Sequence, residues 1–120
     1  MFYADEEGNI TLRQGDSGTL VITGIDHTRN WKVYFAMYDS NRKPVGSEIM
    51  IYSNNNATVY IDIPAVSTDL LTVPKDEDYA TYYYGVKLCD EGVEDTLVMG
   101  NGNIETENTI TVYPRKVVGD

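Results

Sequence analysis

The residue types that most often carry out catalysis are scarce in this chain. His27 is the only histidine and Cys89 the only cysteine among 120 residues, so a histidine-based triad or a multi-histidine metal site is nearly excluded. His27 lies in the polar segment 26–30 between two expected strands, which predicts an exposed loop. A nucleophilic cysteine needs a base or cation beside it, and this loop is distant from Cys89 in sequence. We therefore expect Cys89 to be structural.

Carboxylates are abundant, and a pair such as Asp16 and Asp95 could perform acid and base chemistry if the fold brought them together. A small hydrolase is therefore one hypothesis. Acidic clusters at 5–7, 76–78 and 91–95 offer oxygen ligands for calcium, but none has the spacing of a known calcium loop. Charged side chains in turns usually stay in water, so we predict no catalytic residue, no metal site and no cofactor.

Tyrosine is the unusual component of the sequence, with ten residues in addition to Trp31. Its broad apolar ring and polar hydroxyl suit protein interfaces and stacking on sugars. Strand alternation favours exposure of five tyrosines, because each lies opposite an expected core neighbour. These candidate protein or glycan contacts are Tyr34, Tyr38, Tyr52, Tyr60 and Tyr83. Tyrosine is also a common strand residue, so a purely structural role is the alternative.

Length and composition predict one globular domain. Hydrophobic residues make up 42% of the chain and charged residues 23%, which is typical of a folded protein. We expect a single domain over residues 1–120, with about 1–8 and 115–120 as candidate flexible termini.

Charge and cysteine usage restrict the partners and the compartment. The formal net charge is -10, and this field repels nucleic acid backbones and anionic lipid surfaces, so neither is an expected partner. A single cysteine cannot form an intrachain disulfide, and the first residues lack the basic and apolar character of a signal peptide. Both observations favour folding in a bacterial cytoplasm.

The elements that must position these residues are predicted to be strands, because apolar residues recur at every second position and helical spacing is scarce. Both faces of Trp31–Tyr38 are apolar, which predicts a central strand. Tyr79–Cys89 is the strongest strand and should lie at the heart of a sheet. One of its faces is expected to carry Tyr82, Tyr84, Val86 and Leu88. Roughly seven or eight short strands without a helix predict an all-β sandwich or small barrel, and we expect an antiparallel sandwich.

Turn signals predict how the strands are connected. Gln14–Gly18 separates two short strands, as a hairpin turn or as a crossing between sheets. Asn54–Asn56 predicts a tight turn, and the strands at 48–52 and 59–63 on either side are expected to pair as a hairpin. Residues 67–71 are compatible with a single helical turn or an extended crossing. Near the end we expect a short return strand at 96–99, a reversal at 100–103 and a last strand around 109–113.

Two stretches resemble small sandwich domains of bacteriophage baseplate and tail proteins. The first is Ile10-Thr11-Leu12-Arg13-Gln14-Gly15-Asp16-Ser17-Gly18 with the alternating strand after it, which looks like the strand, Gly-Asp, strand start of those domains. The second is Tyr82-Tyr83-Tyr84-Gly85-Val86-Lys87-Leu88, then an acidic turn, Asp95-Thr96-Leu97 and a glycine reversal. It is similar to their second half. Together the two stretches cover most of the chain, and the amino-terminal part of the baseplate upper protein typifies the family.

The resemblance implies an immunoglobulin-like sandwich that attaches to neighbouring tail proteins as a symmetric oligomer, without catalysis. On this hypothesis the protein is a structural or adaptor component of a phage or prophage tail, made in the bacterial cytoplasm and located in the virion. The main alternative is a carbohydrate-binding module in which Trp31 and the exposed tyrosines form a stacking platform.

Overall fold

The computed structural model of the protein describes residues 1–97 and 107–117, and in these residues the chain is almost entirely β. The strands are β1 (Phe2–Ala4), β2 (Ile10–Arg13), β3 (Gly18–Ile22), β4 (Lys32–Tyr38), β5 (Pro44–Tyr52), β6 (Val59–Ile63), β7 (Ala80–Asp90), β8 (Val93–Leu97) and β9 (Asn108–Tyr113). One helical turn, α1 (Ala65–Thr68), follows β6. The predicted all-β sandwich is confirmed. The expected reversal at 100–103 and the end of the predicted strand 96–99 lie outside the described residues.

The strands form a large sheet and a small one. The large sheet has the order β1-β2-β9-β7-β4-β5, with β8 also paired to β7, and the small sheet consists of β3 and β6. In an immunoglobulin-like sandwich, strands G, F, C and C′ occupy the positions of β9, β7, β4 and β5, and strands B and E those of β3 and β6. One pair departs from the antiparallel expectation, because β2 runs parallel to β9. It can do so because β2 leads into the other sheet.

The core lies between the two sheets and uses alternate residues of each strand. Val33, Phe35 and Met37 of β4 face inward, and the predicted inner face of β7 is confirmed by the burial of Tyr84, Val86 and Leu88. The small sheet contributes buried apolar side chains from both of its strands, namely Leu20, Ile22, Val59, Ile61 and Ile63. This alternation leaves every second side chain of the large sheet on its outer face.

The predicted hairpin between residues 48–52 and 59–63 is wrong. β5 pairs with β4, whereas β6 pairs with β3 in the other sheet. The predicted tight turn does form, since Asn54 and Asn55 both have positive φ and the Asn56 amide bonds to the Ser53 carbonyl oxygen at 3.1 Å. The turn therefore carries the chain from one sheet to the other instead of folding it back on the same sheet.

The segment Gln14–Gly18 is the crossing, not the hairpin, of the two options for it, because β2 and β3 lie in different sheets. The open choice for residues 67–71 resolves to a helical turn that begins earlier, at Ala65. Thr68 on this turn is fully buried, and its hydroxyl donates to the Asp16 carbonyl oxygen at 2.9 Å. α1 thus braces the crossing between the sheets.

Candidate functional site

The outer face of the large sheet brings together side chains that are far apart in sequence. Residues that are directly opposite on adjacent strands share a face, so the register of β5, β4 and β7 defines its rows. Tyr52, Lys32 and Cys89 form one row, Met50, Tyr34 and Lys87 the next, and Pro44, Tyr38 and Tyr83 another. We call the aromatic and methionine side chains Tyr34, Tyr38, Met50, Tyr52 and Tyr83 the tyrosine face.

One half of the tyrosine face is open to solvent. Tyr52 is 49% exposed and Met50 is 41% exposed, and both lie on the edge strand β5 beside the half-buried Tyr34. Lys87 and Glu94 form an ion pair of 2.9 Å at its border. The partners raise the pKa of the ammonium and lower the pKa of the carboxyl, chiefly through the hydrogen bond between them. This half therefore combines apolar rings with charged groups at its rim.

In the other half of the tyrosine face, Tyr38 and Tyr83 contact each other. The rings of Tyr38 and Tyr83 stack with their centroids 5.8 Å apart and an interplanar angle of 22°. Burial raises the pKa of the Tyr38 phenol, and the Glu107 carboxylate raises it further. Arg42 pairs with Glu107 at 3.5 Å and partly opposes that effect on Tyr38. Both tyrosines are half-buried, so this half offers ring edges and hydroxyls instead of open ring faces.

Tyr60 lies apart from the other four predicted contacts. It belongs to β6 in the small sheet, where it is 63% exposed and directly opposite Val21. The neighbouring pair on that sheet is polar, with the Thr19 hydroxyl bonded to the Asp62 carboxylate at 2.7 Å. The structure therefore brings Tyr34, Tyr38, Tyr52 and Tyr83 to one face and leaves Tyr60 on another sheet.

Met50 is the member of the tyrosine face that the sequence reasoning missed. It lies two residues before Tyr52 and so shares its side of β5. The two-residue spacing from Tyr52 is the sequence signal for Met50, although methionine is not aromatic. The prediction that Trp31 belongs to an exposed stacking platform is wrong, because its side chain is only 5% exposed. Its indole N–H donates to the Asp26 carbonyl oxygen at 2.9 Å.

A shallow groove of about 690 Å³ opens beside Tyr34 and Tyr52. Its polar lining includes Asn30, Asp90 and Glu94. The Asn30 side chain accepts the Asn54 amide at 2.8 Å, and Asp90 pairs with Arg29 at 3.2 Å. Contacts on the protein thus hold polar groups in place next to exposed rings, which is an arrangement suited to a small polar ligand.

The candidate catalytic groups are not assembled into a site. His27 is exposed in its loop, as predicted, and the Cys89 thiol lies 3.9 Å from the Glu94 carboxylate oxygen. Asp16 pairs with the amino group of Met1 in the β2–β3 crossing, whereas Asp95 lines a different depression. Over residues 1–97 and 107–117, no three His, Cys, Asp or Glu side chains converge as metal ligands.

Comparison with known proteins adds no family. No protein-family model matches this chain, and a search of curated proteins finds no match to it. Within the described part of the chain, no helix has the length and apolar character needed to cross a membrane.

Proposed function

We propose that this protein is a non-catalytic structural or adaptor component of a phage or prophage tail or baseplate, which binds other virion proteins through the tyrosine face. The observation that carries the proposal is that four tyrosines and Met50 lie on one outer face across three adjacent strands. A sandwich needs apolar side chains only between its sheets, so an apolar surface on the outside is available for a partner.

The composition of the face favours a protein partner. Tyrosine and methionine are enriched at the centres of protein interfaces, where they bury large areas with few rotatable bonds. Lys32 and Lys87 lie in the same rows as Tyr52 and Tyr34, and Glu94 pairs with Lys87, so charges of both signs lie beside the rings. The proposal includes self-association, since a second copy of the chain could supply part of the contact.

The assignment to a virion rests on the resemblance of the two sequence stretches. The first stretch forms β2, the crossing and the start of β3, and the second forms β7 and β8. Both belong to the frame of the sandwich, and Tyr83 is the only member of the tyrosine face among them. The resemblance thus supports the class of protein, and the outer face supports its mode of action.

The test is complex formation with the proteins encoded by the neighbouring genes, measured by size-exclusion chromatography with light scattering. The unaltered protein is expected to elute as a homo-oligomer or as a complex with a tail protein. The double variant Met50→Ser, Tyr52→Ser should lose the assembly, because both side chains are exposed at the centre of the open half. Tyr60→Ser is the control, since it removes an even more exposed ring from the other sheet.

Two results would contradict this proposal. One is an inert monomer with every neighbouring gene product. The other is equal loss of assembly in the double variant and in Tyr60→Ser, which would show that the tyrosine face has no special part in the contact.

A carbohydrate-binding module is the second candidate, and the groove beside Tyr34 and Tyr52 is the observation that favours it. A sugar could stack on the exposed Tyr52 ring while Asn30 and Asp90 meet its hydroxyls. A glycan array is the direct test. Binding that disappears in Tyr52→Ala and persists in Tyr60→Ala would support this function, and an array without any bound glycan would remove it.

A further inference from the structure

A second surface, on the opposite side of β7 from the tyrosine face, runs along one edge of the small sheet. A groove of about 800 Å³ is lined by four consecutive residues of β3, from Thr19 to Ile22, and by β1. No residue of β6 lines it. Consecutive residues of a strand point to opposite sides, so their joint presence means that the edge of β3, and not one of its faces, borders the groove.

The edge of β3 is unpaired within the described residues. β3 pairs with β6 on one side, in an unbroken register from Gly18 to Ile22, and no strand of residues 1–97 or 107–117 pairs with the other side. The exposed edge therefore presents alternate backbone N–H and C=O groups to the groove. Backbone groups in this position can accept a further strand.

β3 also lacks the features that normally protect a sheet edge. Its sequence, Gly-Thr-Leu-Val-Ile, contains no charged residue and no proline. The edge strand of the large sheet, β5, is different: it begins at Pro44, has a positive φ at Gly46 and shifts its register against β4. An edge as regular and uncharged as that of β3 is expected to be covered in the working protein.

β1 closes only one end of the groove. The Phe2 ring lies directly on Gly18, where an added Cβ atom would be 2.0 Å from the ring. β1 forms its own ladder with β2, from Phe2 opposite Leu12 to Ala4 opposite Ile10. The Phe2 ring therefore lies between β1 and the start of β3. The lining of the groove also includes the apolar side chains of Leu88 and Leu97.

The charge of the groove has one sign. Asp5, Glu6, Asp26 and Asp95 line it, and no lysine or arginine of the described residues does. Asp5 is held by the backbone amides of Glu7 and Asn9, each 2.9 Å from its carboxylate. The Thr28 hydroxyl and amide hold the pKa of Asp26 below its ordinary value. Asp95 lies directly opposite Leu88, on the same side of the sheet, and is exposed.

We propose that this groove accepts an extended segment of another protein, which pairs with β3 as an added strand and carries lysine or arginine at alternate positions. The four residues of β3 that line the groove, from Thr19 to Ile22, span about 13 Å, so the segment would be roughly four to six residues long. Alternation would direct its apolar side chains toward Leu88 and Leu97 and its basic ones toward the acidic rim.

The test uses hydrogen exchange and fluorescence polarisation with a synthetic nine-residue peptide of alternating lysine and valine. The peptide is expected to bind and to slow exchange of those amides of residues 18–22 that point away from β6. Two control peptides have glutamate in place of lysine, or proline in place of the central valine. Neither should bind, because the first is repelled by the acids and the second cannot complete the ladder.

A charge variant checks that the groove is the site. Glu6→Lys with Asp95→Lys should weaken binding by about tenfold or more, since two attractive charges become repulsive. Asp76→Lys with Glu77→Lys makes the same change in net charge on a remote exposed turn and should have a much smaller effect. The variant Met50→Ser, Tyr52→Ser should bind the peptide normally, which separates this proposal from the tyrosine face.

The proposal is overturned if those amides of residues 18–22 that point away from β6 already exchange slowly without the peptide, because the edge would then be covered within the chain itself. It is also overturned if the glutamate or proline peptide binds as well as the lysine peptide. The peptide comparison uses the unaltered protein, so it decides the matter even where a charge variant fails to fold.

Discussion

The inner and outer faces of the large sheet use the same residue type in opposite ways. Tyr82, Tyr83 and Tyr84 are consecutive in β7. Tyr82 and Tyr84 face the core, and their hydroxyls donate to the carbonyl oxygens of Thr72 at 2.7 Å and Gly8 at 2.5 Å. Tyr83 faces outward and stacks on Tyr38.

This difference shows that the partner of the hydroxyl, more than the ring, separates a structural tyrosine from a binding one. The inner hydroxyls bond to backbone in segments that contribute no strand to this part of the sheet, so each ties a loop to β7. A tyrosine hydroxyl that already donates its hydrogen to a backbone carbonyl oxygen cannot donate it to a binding partner. The outer Tyr38 hydroxyl differs, because its partner is the side chain of Glu107 and not a backbone carbonyl oxygen.

The largest loss of stability is expected from truncating a fully buried aromatic ring on the inner face. Phe35 is 1% exposed and lies 5.3 Å from the Tyr84 ring, so Phe35→Ala should lower the free energy of unfolding by about 3–5 kcal/mol. Its chain neighbour Tyr34 faces outward, and Tyr34→Ala should cost about 1 kcal/mol or less. Urea unfolding of both variants measures this. Similar losses of stability in Phe35→Ala and Tyr34→Ala would contradict the assignment of Phe35 to the core and Tyr34 to the outer face.

The next effect concerns a single hydroxyl. Tyr84→Phe leaves the carbonyl oxygen of the buried Gly8 without its donor, which should cost about 1–3 kcal/mol. Tyr83→Phe removes an outward hydroxyl that water can replace, so its effect should be close to zero. Thermal unfolding of both variants is the measurement, and a destabilised Tyr83→Phe would be the contrary result.

The same two variants should differ at alkaline pH. Burial raises the pKa of the Tyr84 phenol above its ordinary value of 10.0. Above pH 10 the unfolded chain releases this proton while the folded protein retains it, so stability falls as pH rises, by up to about 1.4 kcal/mol per pH unit. Tyr84→Phe should lose this part of the pH dependence and Tyr83→Phe should keep it. Unfolding curves between pH 9 and about 11 would show whether the slopes diverge.

The smallest effect is the coupling across the outer face. Tyr38 and Tyr83 are directly opposite on β4 and β7, so a double-mutant cycle with alanine should give a coupling energy of about 0.5–1 kcal/mol. The same cycle on Val21 and Tyr60, the outer pair of the small sheet, is the comparison. A larger coupling there would indicate that the stacked rings contribute little.

Side-chain alternation in the sequence predicts the strands and their faces. It does not predict which strands pair, because pairing depends on residues far away along the chain. Side-chain alternation identifies β4 and β7 as central and assigns both faces of β7, because two-residue periodicity is a local property. The partner of β5 is not local: the turn at Asn54 and Asn55 looks like a hairpin turn, but each flanking strand finds its ladder in a different sheet.

The candidate site shows the same limit. Alternation states on which side of a strand Tyr60 lies, but not to which sheet the strand belongs, so the grouping of five tyrosines could not be checked from the sequence. The sequence does not predict β1, because a strand of three residues is too short to show alternation. Its position depends on Phe2 meeting Gly18, a contact between segments that the sequence does not connect.

The parallel ladder of β2 and β9 has a mechanical consequence. It joins Ile10–Arg13 to Ile110–Tyr113, so a force that pulls residue 10 and residue 113 apart loads all of its hydrogen bonds together, in shear. β1 is antiparallel to β2, so a force applied at Met1 and Tyr113 instead would first peel β1 away from β2 one bond at a time. Under tension the protein should therefore lengthen by a short, soft step and then resist.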